Sequence, residues 1–142
     1  MLTVHLHSFS YKLSGIPADS SGNGGGFVFD CRFINNPGRL DEFKHKTGQE
    51  PDVKAFLDSQ ENMQEFLDDV YDITDRAIGN YLERGFTDLM ISFGCTGGQH
   101  RSVYAAERMK EHIAGKFPEV RVELHHDQIE KGIYREQGGQ AN

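Results

Sequence analysis

Apolar positions along this chain recur with two periods, and the two alternate. In residues 2–8 the period is two: Leu2, Val4 and Leu6 share one side, Thr3, His5 and His7 the other. This predicts a strand buried on one face. Residues 14–25 are rich in Gly and Ser and read as a loop. Residues 26–33, GFVFDCRF, resume the period of two with Phe27, Phe29 and Cys31 on one face. Asn35, Asn36, Pro37 and Gly38 end that strand with turn chemistry.

The period then lengthens. Pro51 opens a short helix over 51–59, where its missing N–H costs nothing in the first turn. Between 61 and 83, Met63, Phe66, Leu67, Val70, Tyr71, Ile78, Tyr81 and Leu82 make one apolar stripe at helical spacing. The acidic residues of 61–75 then fall on the wet face, and Gly85 stands where a cap glycine belongs. Residues 88–94 read as a third strand. Residues 101–116 read as a helix buried through Val103, Ala106, Met109 and Ile113, and 120–125 as a fourth strand.

Strands separated by helices predict an α/β fold, here a small, mostly parallel four-stranded sheet flanked by helices. In such sheets ligands bind at the carboxyl ends of the strands. Residues 8–11, 30–36, 95–101 and 125–127 are therefore expected at one rim. Residues 1–131 are expected to form a single domain, and the Gly- and Gln-rich stretch 132–142 a flexible tail.

Composition narrows the picture. A chain of 142 residues is long enough to fold without a disulfide or a metal. Cys31 and Cys95 form no CxxC pair, no apolar run is long enough for a membrane span, and the first residues carry no basic region before an apolar one. The expectation is a cytoplasmic domain with no membrane partner and no cofactor. The formal charge of −7 disfavours RNA or DNA, whose phosphates are held mainly by Lys and Arg.

The densest chemistry lies in GCTGGQHRS, residues 94–102, between the third strand and the following helix. Glycines there let backbone N–H groups approach a ligand, and the first turn of the helix adds unpaired donors and partial positive charge. An anion is the expected occupant. Thr96 and Ser102 supply hydroxyls, His100 a titratable donor and Arg101 a guanidinium fork. The loop is not a Walker A motif, which occurs nowhere in the chain.

Cys95 and Arg101 also stand in C-x5-R-S spacing, similar to the phosphate loop of cysteine-dependent phosphatases. A thiolate nucleophile at Cys95 would need a carboxylic acid to protonate the leaving group, with Asp30 and Asp127 as candidates. The alternative for Cys95 is a small residue ending a buried strand. Asp30 and Arg32 share a side and suit either an ion pair or a ligand contact. His5 with His7, and His125 with His126, lack a recognisable metal-ligand spacing, so no metal site is expected.

The segment GCTGGQHRSVYAAERM resembles GCTGGKHRSVYIAEQL, typical of the C-terminal domain of the RapZ (RNase adapter) and YvcJ-type family. SFSYKLSGIP at 8–17, FVFDCRFINNP at 27–37, Thr47–Gly48 and VKAFL at 53–57 extend the match in the same order. The resemblance implies a domain that binds a phosphorylated metabolite, such as glucosamine-6-phosphate or a nucleotide, and regulates a protein partner. An RNA adapter role also follows from it, and a homo-oligomer is a further expectation for the partner. The resemblance carries Thr96, Gly97, Gly98, His100, Arg101 and Ser102 over as phosphate-loop residues, and Cys95 beside them is kept as a ligand-site candidate. Ser8, Tyr11, Lys12, Asp30, Arg32 and Asn35 would line the rest of the pocket. Members of the family also carry an N-terminal P-loop domain, and the expectation here is a stand-alone C-terminal domain. Two departures stand out. Gln99 occupies the place of the family's loop Lys, and the family's basic C-terminal tail is nearly neutral here. Both count against the RNA role and leave the metabolite role in place.

Overall fold

A computed structural model describes residues 1–131. The stretch expected as a tail, 132–142, lies outside the described residues. Four strands form one parallel sheet: β1 (Thr3–Ser10), β2 (Phe27–Asp30), β3 (Asp88–Cys95) and β4 (Arg121–His126), in the order β2-β3-β1-β4. Four helices accompany them: α1 (Pro51–Asp58), α2 (Glu61–Arg84), α3 (Arg101–Lys116) and α4 (Asp127–Lys131). The α/β fold read from the sequence is the fold observed, with every strand pair parallel.

Alternation decides which side of the sheet is the core. Val4 and Leu6 of β1 stand beside Leu89 and Ile91 of β3, and all four are buried with Val70, Ile78, Met109 and Ile113 of the helices. Glu61, Glu65, Asp68, Asp69 and Asp72 of α2 face solvent, as the stripe predicts. Gly85 caps α2 in the left-handed region at φ 72°, where a side chain would be strained.

Three elements depart from the sequence reading. β2 ends at Asp30 rather than at 33, because Ile34 folds back to donate its N–H to the Cys31 carbonyl. Residues 37–43 form two 3-10 turns, Pro37–Arg39 and Asp41–Phe43. Asn36 starts the first by accepting the Gly38 N–H at 2.8 Å, a side-chain cap. The short helix α4 follows β4 directly.

The connections leave the sheet on opposite faces. After β1 the chain crosses β3 to reach β2, with Ala18, Asp19 and Ser20 beside His5, His7 and Met90 on the face away from the core. After β3 it crosses β1 through α3 on the core side to reach β4. The exits from β1 and β3 thus diverge to opposite faces of neighbouring strands. That divergence is the topological switch point where ligands of open parallel sheets lodge. Ser10 and Cys95, the last residues of the two strands, are register partners there.

Candidate functional site

The loop after β3 turns tightly against the exit of β1. Ser10 Oγ donates to the Thr96 carbonyl at 2.5 Å and accepts the Leu13 N–H at 2.9 Å. The Tyr11 N–H donates to the Cys95 carbonyl at 3.0 Å, and the Cys31 N–H to that of Gly94 at 2.7 Å. Gly98 sits at φ 66°, and an added Cβ would fall 2.8 Å from the Ser10 nitrogen and from Gln128 Cβ. Only glycine fits this turn.

Backbone donors collect at this point. Among the described residues, the N–H groups of residues 96–103 find no acceptor, whereas those of the strands are used in the ladders. They run from the loop into the first turn of α3, where the helix dipole adds positive potential. Arg101 of this run borders a cavity of about 390 Å³, lined also by Arg32, Arg39, Asn35, Asn36 and Phe33, among others. Three guanidinium groups on one cavity give it a cationic wall.

The side chains of the loop behave differently from the sequence expectation. Arg101 is only 3% exposed, and its Nη1 donates to the carbonyls of Arg32 at 3.0 Å and Ile34 at 2.8 Å. Its Nε has no partner. His100 is buried, with Nε2 donating to the Phe43 carbonyl at 2.9 Å. Gln99 Nε2 donates to the carbonyls of Lys44 at 2.9 Å and Lys46 at 2.7 Å. Three consecutive side chains therefore staple the loop to residues 32–46. The expected anion-binding fork of Arg101 is largely spent on the chain's own carbonyls, because that segment lacks regular structure to satisfy them.

The other expected residues divide. Arg32 lies over the Tyr11 ring at 3.8 Å to its centroid and pairs with Asp30 at 2.7 Å, so these three form one cluster, of which Arg32 lines the cavity. An exposed pair of this kind adds little to stability, so its effect is mainly to orient Arg32. Asn35 also lines the cavity and donates to Gln60 Oε1 at 3.1 Å. Lys12 is exposed and binds Ser10 Oγ through its backbone N–H at 3.2 Å. Ser8 is apart from them. Its side chain is buried on the core face, hydrogen-bonded to His126 Nδ1 at 2.6 Å. Ser10, Arg39, Gln99 and Gln128 were missed by the sequence reading. Ser10 had a signal, since it shares the parity of Ser8 at a strand end.

Cys95 is buried and donates its S–H to Ser102 Oγ at 3.2 Å. Asp30 cannot serve it as an acid: hydrogen bonds from Arg32 hold its carboxyl below the usual range, so it is ionised near neutrality. Asp127 accepts from the His7 ring at 2.9 Å. Burial pushes the Cys31 thiol well up and keeps it protonated. His5 pairs with Asp88 at 2.8 Å, and among the described residues no three or more His, Cys, Asp or Glu side chains converge for a metal ion.

His100 makes the loop sensitive to acid. Burial depresses its pKa below the ordinary 6.5. Such a group contributes its full stability above the unfolded value and loses it as pH falls toward the folded one. Melting temperature is thus expected to fall between pH 7 and pH 5, more steeply in the wild type than in His100→Gln. Equal slopes in a fluorimetric melt would contradict this.

Comparison with known proteins agrees with this architecture. Residues 2–130 match the model of the RapZ C-terminal domain family. A Fervidobacterium nodosum protein named a nucleotide-binding protein is 37% identical over 129 residues, 91% of this chain and 43% of its own length. Another of that name, from Caldicellulosiruptor saccharolyticus, is 41% identical over 132 residues, 93% of this chain and 42% of its own length. The chain spans less than half the length of these relatives. With its parallel sheet and its loop at the switch point, the chain belongs to the RapZ C-terminal domain family.

Proposed function

We propose that this domain is a regulatory module that binds a phosphorylated metabolite, a sugar phosphate or a nucleotide, at residues 96–103. The observation that carries the reading is the run of unengaged backbone N–H groups at the N-terminus of α3, beside the Arg-lined cavity. Backbone donors fixed by a tight turn cost little reorganisation when an anion enters. The names of the relatives fit a ligand that carries phosphate.

Catalysis by Cys95 is the weaker reading. Its thiol is engaged with Ser102, and the nearby carboxylate Asp30 is ionised by Arg32. Binding without turnover, passed on to a protein partner, suits the site better.

Inorganic phosphate, methyl phosphate, glucose 6-phosphate and AMP should each raise the melting temperature, while chloride at equal ionic strength should not. A ligand at 100-fold its Kd is expected to stabilise by about 2.7 kcal/mol. If none of the four shifts the melt or shows heat in calorimetry, the site is not a phosphate site.

A further inference from the structure

We propose that α4 is a lid on the phosphate loop and that Gln128 on its underside is a specificity-determining residue, reading a hydroxyl group on the ligand's carbon skeleton. This rests on the phosphate-site reading above. Gln128 is fully buried, yet neither its Oε1 nor its Nε2 has a hydrogen-bond partner. A buried amide with both ends unpaired is rare in folded proteins and calls for a partner that arrives from outside. Its Cβ lies against Gly98, the residue at the centre of the loop. That contact puts the amide within a side chain's length of the unengaged loop donors. An amide carries both a donor and an acceptor, which matches a hydroxyl and does not match a bare phosphate dianion.

The attachment of α4 suits a part that opens. It is held to the body by discrete polar contacts. His7 donates to Asp127 at 2.9 Å. At the preceding residue, the His126 ring bridges Ser8 Oγ at 2.6 Å and Glu107 Oε2 at 2.8 Å, and its backbone N–H reaches Glu130 at 3.2 Å. The unpaired amide beneath opposes closure in the free protein. A ligand that satisfies it while its phosphate sits on the loop removes that penalty and so favours the closed lid.

The test compares two phosphomonoesters, methyl phosphate and glucose 6-phosphate, which differ in their hydroxyl groups. In the wild type, calorimetry is expected to show glucose 6-phosphate binding about tenfold more tightly, the scale of one or two hydrogen bonds. Amide exchange in residues 127–131 should slow with glucose 6-phosphate and change little with methyl phosphate. In Gln128→Leu the affinity ratio should fall to within about twofold, with thermal stability retained or raised. Gln128→Met, of the same length and without the amide, gives the same readout if the leucine variant fails to fold. A wild-type ratio near one, or a tenfold ratio kept in the variants, overturns the proposal and leaves the phosphate site standing. Failure of methyl phosphate and inorganic phosphate alike to bind the wild type overturns the site itself, and this inference with it.

Discussion

Replacing Arg101 with methionine is expected to destabilise the domain by about 3 kcal/mol, as two main-chain carbonyl groups, one of them buried, lose a charged donor. For a chain of this size that is a fall of roughly 10 °C in melting temperature. The carbonyls belong to Arg32 and Ile34, in a segment that has no strand or helix to receive them. Methionine keeps the aliphatic stem and leaves little cavity, so the loss reports the hydrogen bonds. Arg101→Lys should recover only part of it, because an ammonium lacks the planar fork. The outcome separates two roles. An arginine that merely waits for an anion would change phosphate affinity with little effect on the melt. An arginine that braces the cavity wall would change both. A methionine variant that melts with the wild type and still loses phosphate would assign Arg101 wholly to the ligand.

The second large effect is expected at Gly98. Alanine there must adopt φ near 66°, which costs about 1–2 kcal/mol for a residue with a Cβ. That Cβ would also stand 2.8 Å from the Ser10 nitrogen and 3.0 Å from the Phe9 carbonyl carbon, both backbone atoms of a central strand. Neither can give way without distorting β1, so overpacking adds about 1–3 kcal/mol. The total, about 2–5 kcal/mol, is a large share of a typical domain's stability. Phosphate binding should be lost as well, since the loop donors depend on this turn. A Gly98→Ala protein that binds inorganic phosphate normally would show that the donors of residues 96–103 are not the site.

The elements were legible where one force dominated. The stripe of α2, the alternation of β1 and the cap at Gly85 each follow from local spacing, and local spacing is what a sequence displays. The rim of strand ends was legible too, because a parallel sheet gathers its carboxyl ends on one side. Residues 37–43 were not, since their 3-10 turns answer to one side-chain cap and to carbonyls that distant residues must satisfy. α4 was missed because five residues carry too short a period to read.

The candidate site shows the same division. Gly94, Gly97 and Gly98 announced a close backbone approach, and the turn at Gly98 depends on it. Side-chain roles were harder. His100 and Arg101 read as ligand donors by their chemistry, yet both are spent on main-chain carbonyls more than fifty residues away in sequence. Ser8 read as a rim residue, yet its parity turns it inward to His126.

By itself, then, the sequence determined the α/β layering, the parallel sheet and a tight glycine-rich loop between β3 and α3. These follow from periodicity and from conformations open to few residues. Only the tertiary structure decided which polar groups remain unpaired around that loop. Pairing is a balance over the whole chain: Arg101 Nη1 and the His100 ring donate to residues 32–43, while Arg101 Nε, the loop N–H groups and the amide of Gln128 are left without partners. No local window of sequence contains both sides of that balance.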